Sequence, residues 1–370
     1  MFKFTELESI HLEISNRCQA SCPMCPRNIH SGIENPSLKI NDWSYDDFVR
    51  IISPEVLSQI KELNFCGSFG DPMMNNDLIR MCEYVKATAP NTIVGIHTNG
   101  SLRSTKWWQE LANALPVNHV VEFALDGLAD TQALYRVGTD WHKIIKNAQT
   151  FMAAGGTADW LFIRFKHNEH QVAEAERIAN ELGFKRFRIK DTRRFETAKF
   201  PVVDKNGNTL YYLEPPTTTS LQFVNRANLE DYTSWKNKTK IDCFALKQKE
   251  IYIDACYTVM PCCILAAFIY TNYDKAILKQ SGLYHELSNV EIGGKIQAQV
   301  FDIIEELGGK IYIDATQRTV KDIIDNDIWQ TIWDKKWQSA ESFACIALCS
   351  IDSPFGQIDD QKITYKEKNV

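Results

Sequence analysis

The 370-residue chain has no run of eighteen apolar residues, so no segment of it reads as a membrane span. Its start, Met1-Phe2-Lys3-Phe4-Thr5-Glu6, lacks the basic-then-apolar order of a signal peptide, and a cytoplasmic protein is expected. Positive charge is not in excess. The net charge of −6 offers no general attraction to nucleic acid. Aromatic residues are spread along the chain, with no low-complexity bias. Cysteine, by contrast, is plentiful. Eleven thiols in a protein expected in a reducing compartment argue for metal or redox chemistry over a disulfide frame. A hydrophobic share of 44% supports a full core, and the length allows one large or two unequal domains.

Three of the thiols fall within eight residues, Cys18-Gln19-Ala20-Ser21-Cys22-Pro23-Met24-Cys25. They follow an alternating run, Ile10-His11-Leu12-Glu13-Ile14, that reads as a strand, and Pro23 and Pro26 exclude a regular helix. Three thiolates on one loop can hold an iron–sulfur cluster by three of its irons, leaving the fourth open to a ligand that is not protein. A zinc site completed by a residue such as His30 is the alternative, although zinc sites usually use paired C-x2-C halves. A disulfide between such close neighbours would strain the loop.

Downstream, strand and helix patterns alternate. Strands are expected at Glu62–Cys66, Ile93–His97, Val120–Leu125, Leu161–Lys166 and Arg186–Lys190, after the first at Ile10–Ile14. Between them, Phe48, Ile51 and Ile52 mark a helix capped by Ser44, and Leu78, Met81, Cys82 and Val85 mark a second. Further helices are expected over Lys106–Leu115, Ile144–Ala154 and Val172–Leu182, the last closed by Gly183. A helix after the sixth strand is not clearly marked. Such alternation implies a parallel sheet with right-handed crossovers, either doubly wound or closing toward a barrel. The loops rich in Gly, Asn, Asp and Cys all follow strand C-termini, where active sites lie in both architectures.

Strands covered on both faces should be nearly continuous apolar runs, and these are not. Leu12, Ile14, Leu63, Phe65, Val94, Ile96, Val121, Phe123, Ile163, Phe165, Phe187 and Ile189 form one face, suited to pack under helices. The other face would carry His11, Glu13, Asn64, Cys66, His97, Asn99, Glu122, Asp126, Arg164, Lys166, Arg188 and Lys190. A polar, hydrated cavity is therefore expected, acidic on strands one and four and cationic on strands five and six. These charges either pair across the cavity, Glu122 with Arg164 for instance, or meet an anionic substrate.

From Phe195 to Lys240 the pattern breaks down, and Asn206-Gly207 and Glu214-Pro215-Pro216 are turn signals for a linker or short hairpins. Beyond it lies a second cysteine group. Cys243 precedes a strand at Glu250–Asp254, a turn, and Val259-Met260-Pro261-Cys262-Cys263. Cys345-Ile346-Ala347-Leu348-Cys349 comes much later. Lys310-Ile311-Tyr312-Ile313-Asp314-Ala315 echoes Glu250–Ala255 and suggests a second hairpin. Cys66 reads as a pocket-wall residue and Cys82 as core.

The C-x3-C-x2-C triplet, with its strand-then-loop setting and the strand order behind it, resembles the radical S-adenosylmethionine (SAM) enzymes. That resemblance implies a partial six-strand (β/α)6 barrel over residues 1–195, with Cys18, Cys22 and Cys25 on a [4Fe-4S] cluster that binds SAM. It implies that SAM is cleaved reductively and that the resulting 5′-deoxyadenosyl radical takes a hydrogen atom from the substrate. Met24 stands where the family usually has an aromatic near adenine. Gly70-Asp71-Pro72 resembles the Gly-Gly-Glu-Pro segment whose backbone receives the methionine amino group. Asn99, Asp126 and Asn168 are placed to meet ribose or carboxylate, and Ala124 replaces an expected serine. His167 is a candidate acid or base, and Arg188 and Lys190 are candidate substrate contacts.

The second cysteine group resembles a twitch domain, the shortened relative of the SPASM domain, and implies an α+β unit at 241–350. It would follow a linker at 196–240 and precede a tail at 351–370. In that resemblance Cys243, Cys262, Cys345 and Cys349 ligate one auxiliary [4Fe-4S] cluster. Cys256 and Cys263 are possible replacements, and a structural zinc is the alternative. Tyr257 stands at the hairpin turn where the family usually has glycine.

The expected activity is a two-electron oxidation of a small polar or anionic molecule, with the auxiliary cluster accepting the second electron. The reductant would be a donor such as flavodoxin or ferredoxin. The alternative is modification of a peptide side chain. Against it, only about nine residues precede strand one, too few for the peptide-recognition domain of many such enzymes. From another class, the chain would be an iron–sulfur electron carrier or a zinc-binding interaction protein.

Overall fold

The computed structural model describes residues 1–29, 31–192, 194–195, 198–218, 240–270, 287–338 and 342–350. Six parallel strands form its centre: β1 (Ser9–Leu12), β2 (Glu62–Phe65), β3 (Ile93–Thr98), β4 (His119–Ala124), β5 (Ala158–Arg164) and β6 (Arg186–Asp191). They pair in sequence order, each with the next. This is the order expected of a chain that adds each strand by a right-handed helical crossover.

Helices α1 (Tyr45–Ile51), α2 (Pro54–Gln59), α3 (Leu78–Thr88), α4 (Thr105–Ala114), α5 (Gln132–Tyr135), α6 (Trp141–Ala153) and α7 (Val172–Leu182) lie between the strands. The side chain of Ser44 accepts from the Asp47 N–H at the start of α1, and Gly183 ends α7 at φ +87°. Leu78, Met81, Cys82 and Val85 of α3 are fully buried, so the helical period reads the packing face correctly.

The alternation in β1 to β4 holds: Leu12, Leu63, Phe65, Val94, Ile96, Val121 and Phe123 are all inaccessible on the helix side. In β5 it is one residue out of phase. Trp160 and Phe162 face the helices, whereas Leu161 and Ile163 line the cavity. The strand begins at Ala158, so the run Ala158-Asp159-Trp160-Leu161-Phe162-Ile163 has no polar residue after Asp159 to mark the inner face. Two expected cavity cations are lost by this shift. Arg164 instead pairs with Asp191 at 2.7 and 2.8 Å, and Lys166 pairs with Glu214 at 2.8 Å.

Among the described residues no helix directly follows β6, and Ile189 on its outer face is 48% exposed. An antiparallel hairpin, β7 (Phe200–Val203) and β8 (Thr209–Leu213), takes its place within the segment expected to be a linker. Asp204 and Gly207 form its turn, the glycine at φ +85° and the Asp204 carboxylate accepting from the N–H groups of Asn206 and Asn208.

The C-terminal residues extend the same sheet. After α8 (Phe244–Gln248), β9 (Glu250–Ile253) pairs in parallel with β1, Ser9 opposite Glu250 through Leu12 opposite Ile253. β10 (Val259–Met260) then turns back antiparallel on β9, giving the order β10-β9-β1-β2-β3-β4-β5-β6. Helices α9 (Cys263–Tyr270), α10 (Leu287–Glu306), α11 (Val320–Ile324), α12 (Asp327–Gln338) and α13 (Phe343–Cys349) complete it. One continuous core runs from Phe2 through the barrel to Cys345.

The echo segment is not a second hairpin. Gly308 and Gly309 take φ +98° and +88°, Lys310–Tyr312 makes a 3-10 turn, and Asp314 bridges to Thr258 beside β10. The expected tail, 351–370, lies outside the described residues, as does His30. No described helix is long and apolar enough to cross a membrane.

Candidate functional site

The cysteine loop leaves β1 and crosses the C-terminal ends of the strands. Cys18, Cys22 and Cys25 carry free thiols and line a cavity of about 200 Å³. Gly67–Asp71 after β2, His97–Asn99 at the end of β3, Glu122 and Ala124 of β4, Leu161 and Ile163 of β5, and Lys190 of β6 line the same space. Residues far apart in sequence thus meet at the one edge of the sheet where the strand-tip loops converge.

Hydrogen bonds hold the cysteine loop in place. The Ser21 N–H donates to the Val137 carbonyl at 2.8 Å and the Cys25 N–H to the Cys22 carbonyl at 3.0 Å. Asn99 Nδ2 lies 3.8 Å from Cys18 Sγ, and Arg136 Nη1 lies 3.9 Å from Cys22 Sγ. Burial pushes the Cys22 thiol up to about 11 although Arg136 opposes it, and burial together with Asp71 raises Cys18 further.

Asp71 is buried and fully engaged, accepting from Thr98 Oγ1, the Asn99 N–H, Asn99 Nδ2 and the Met73 N–H. Desolvation raises its carboxyl, and these donors restrain the rise. Pro72 starts the 3-10 turn that follows. Gly70 has a reason beyond ligand approach: a Cβ there would stand 1.9 Å from the Ser15 carbonyl oxygen.

The cations of the inner wall are mostly paired. Arg188 pairs with Glu122, whose other oxygen is 2.9 Å from His97 Nδ1. Arg186 pairs with Asp159, and Arg136 with Asp126 at 2.5 Å. The pairing reading of the sequence thus holds for Glu122, with Arg188 and not Arg164 as partner. Burial, with Arg188 and Lys190 beside it, pushes His97 down to about 3, and burial pushes His11 down to about 4. Both imidazoles are neutral at physiological pH.

Several expected contacts lie elsewhere. Asn168 is fully buried, and its amide serves backbone: it accepts from the Phe165 N–H and donates to the Asp126 and Ile163 carbonyls. Asp126 is held by Arg136 and the Ile163 N–H. His167 stacks on Phe165 at 5.2 Å and is pushed down to about 4 by burial. The Met24 side chain sits in a satellite apolar cluster with Tyr135, Phe165, Phe195, Val202 and Leu213. Sequence reasoning missed Arg136, Tyr135, Thr192 and Arg194, which also line the cavity. They fall in stretches with no strand or helix period, so nothing local pointed to them.

The second cysteine group also comes together. Asp242 N–H donates to the Cys349 carbonyl at 2.6 Å, and Ile241 bridges to Ser350. Burial and the neighbouring thiols Cys263, Cys243, Cys345 and Cys349 push Cys262 well up. Cys345 is raised to about 12 by burial and Cys243. Cys256 stands apart, its thiol 3.6 Å from the Lys39 carbonyl. Among the described residues no three Cys, His, Asp or Glu side chains surround a single-ion site. A four-iron cluster takes each thiolate at a different corner and does not need that convergence. The first triplet fits such a group, with free thiols around one cavity and N–H donors beside two of the sulfurs.

Residues 12–179 match the family described as the radical SAM superfamily. A tungsten-containing aldehyde ferredoxin oxidoreductase cofactor-modifying protein of Pyrococcus furiosus is 30% identical over 133 residues. That stretch is 36% of this chain and 34% of that protein. Streptococcus suis SuiB bound to S-adenosylmethionine is similar at 15% identity and TM-score 0.47, over 70% of this chain and 61% of that one. BtrN in complex with AdoMet and 2-DOIA is similar at 11% identity and TM-score 0.42, over 92% of each chain. The matched span runs from β1, just before the cysteine triplet, into α7, and over it this chain carries a radical SAM domain.

Proposed function

We propose that the chain is a radical SAM enzyme whose substrate is a small polar or anionic molecule, taken in the cavity under the cysteine loop. The observation that carries this reading is the meeting of the three triplet thiols with Gly70, Asn99 and Lys190 in one small cavity. A [4Fe-4S] cluster with SAM would supply reductive cleavage of the sulfonium bond and a hydrogen-abstracting 5′-deoxyadenosyl radical. Cys18, Cys22 and Cys25 would hold it.

The chain's own residues do the rest. Asn99 and Arg136 place N–H donors beside two sulfurs, which favours their thiolate form. Asp71 ties the loops after β2 and β3 together. Lys190 puts a cation opposite the cysteine loop, which suits a carboxylate or phosphate on the substrate. Leu161 and Ile163 give the cavity an apolar stretch of wall, which disfavours water beside a reactive centre. Cys243, Cys262, Cys345 and Cys349 are four buried thiols, and Cys243 is close enough to the other three to push each of them up, which supports a second cluster that would take an electron from the oxidised substrate.

The test is anaerobic incubation of reconstituted protein with SAM and reductant, following 5′-deoxyadenosine, with iron counted alongside. The wild-type chain is expected to release it, and Cys18→Ala to lose at least 100-fold in rate, an estimate of order ~10² or more for removing an essential group. Cys18→Ala should keep about four irons per chain from the second group. Unchanged release by Cys18→Ala would overturn the assignment of the triplet.

A further inference from the structure

Glu13 follows β1, is 2% exposed, and lies beneath the Gly67–Asp71 loop. One carboxylate oxygen accepts from two successive amides, Phe69 N–H at 2.8 Å and Gly70 N–H at 2.9 Å. The other accepts from the Tyr252 hydroxyl at 2.6 Å. Tyr252 belongs to β9, and Ser68 donates to it in turn. One buried acid thus connects the loop after β2 with the strand that the C-terminal part adds to the sheet.

The peptide geometry gives this connection a consequence. Every described peptide bond is trans, so each N–H points opposite to the carbonyl of the same peptide plane. With the Phe69 and Gly70 amides turned onto Glu13, the carbonyls of Ser68 and Phe69 are turned away from it. Ser68, Phe69 and Gly70 line the cavity. The Phe69 and Gly70 donors are thus taken by Glu13 and the Asp71 N–H by the Arg17 carbonyl, which leaves acceptors of the loop for the cavity, an arrangement that suits a primary ammonium and repels an anion.

We propose that Glu13 is a positioning residue that, with Tyr252, holds the Gly67–Asp71 loop with its carbonyls outward to receive the amino group of SAM. The C-terminal strand then helps set how SAM seats beside the cysteine triplet. The inference rests on the radical SAM reading for the identity of the ligand, but the tie itself does not.

The test uses full-length reconstituted protein with Glu13→Gln, Tyr252→Phe and the double substitution. Amide exchange at Phe69 and Gly70 without SAM reads the tie. SAM affinity, from the change in the cluster's electron paramagnetic resonance signal on titration, reads the ligand. Glu13→Gln is expected to speed exchange at both amides and to weaken SAM binding roughly 10-fold, the scale of one charge-assisted hydrogen bond. Iron content and maximal rate at saturating SAM should be retained. Tyr252→Phe should shift both readouts the same way by less, and the double substitution should add little to Glu13→Gln because the pair acts as a unit. Faster exchange with unchanged SAM affinity would overturn the positioning role, and unchanged exchange would overturn the tie. A wild-type chain that binds no SAM would sink the functional reading and the ligand half of this one, while the exchange data would still decide the tie.

Discussion

Tyr257 takes φ +66° at the turn between β9 and β10, a conformation that an L side chain adopts at a cost of roughly 1–2 kcal/mol. Its ring offsets that cost. It packs on Trp43 with centroids 5.0 Å apart, and its hydroxyl donates to Asp47 Oδ2 at 3.0 Å. Tyr257→Ala would lose the ring and keep the strain, whereas Tyr257→Gly would lose the ring and relieve it. Both variants should be less stable than the wild type in urea unfolding, and the glycine variant should exceed the alanine one by roughly 1 kcal/mol. Equal midpoints for the two would show that the turn is not strained. The sequence placed a residue other than glycine at this turn and could not say whether the turn kept its shape. It did, because contacts from α1 and the loop before it stabilise what the backbone alone disfavours. At this scale the triplet Cys18, Cys22 and Cys25 was the most legible feature, since spacing alone grouped it, whereas the later four cysteines were grouped by resemblance. Asn168 was the least: its position after β5 suggested a ligand contact, but its amide is used up on three backbone groups.

In chain order the hairpin of β7 and β8 stands where a sixth helix would otherwise come. Val202 and Leu213 pack with Met24 and Tyr135 in the satellite cluster. Tyr211 donates to the Leu134 carbonyl at 2.8 Å. The hairpin therefore braces the cysteine loop from outside, through the residue just before Cys25. Leu213→Ala should cost about 2–4 kcal/mol of local packing, in a cluster too small to unfold the barrel. Amide exchange at Ser21 and Cys25 should rise by about 10-fold or more, while the β2 and β3 amides stay protected. No change at Cys25 would show that the loop stands without its brace. Sequence reading found the turn of this hairpin in Asn206-Gly207 but not its packing, because β8 alternates exposed Leu210 and Tyr212 with inner residues and reads as linker. The phase slip in β5 has a related origin. An apolar run carries no period of its own, and only Asp159 at its start, paired with Arg186, tells which side faces in.

At the scale of the molecule, the radical SAM span and the C-terminal residues share one sheet. β9 lies against β1 in register along its whole length, so β1 is a central strand. Trp43 Nε1 donates to the Asp254 carbonyl at 3.2 Å, and Asn41 Nδ2 to the Ala255 carbonyl at 2.7 Å. From the other direction, the Phe4 N–H donates to Asp325 and Gln330 donates to the Phe2 carbonyl. Ile251, Ile253, Trp329 and Trp333 are buried in the same core as Leu12 and Phe65. Six strands, the helices between them and a later cysteine group were legible from periodicity and spacing. That the later group adds a seventh parallel strand was not, because register between distant strands leaves no local mark. A chain cut after residue 240 would expose the backbone edge of β1 and uncover those side chains, removing several residues worth about 1.5–3 kcal/mol each when buried. This exceeds the margin of a typical domain. The truncated chain should therefore lose near-ultraviolet circular dichroism, bind hydrophobic dyes and assemble no cluster on Cys18, Cys22 and Cys25. A truncated chain that stayed monomeric, kept a sharp unfolding transition and took up iron at the triplet would show that the barrel is complete without β9. Cluster assembly would then need neither β9 nor Tyr252, and the role of Tyr252 would be confined to the loop it holds through Glu13.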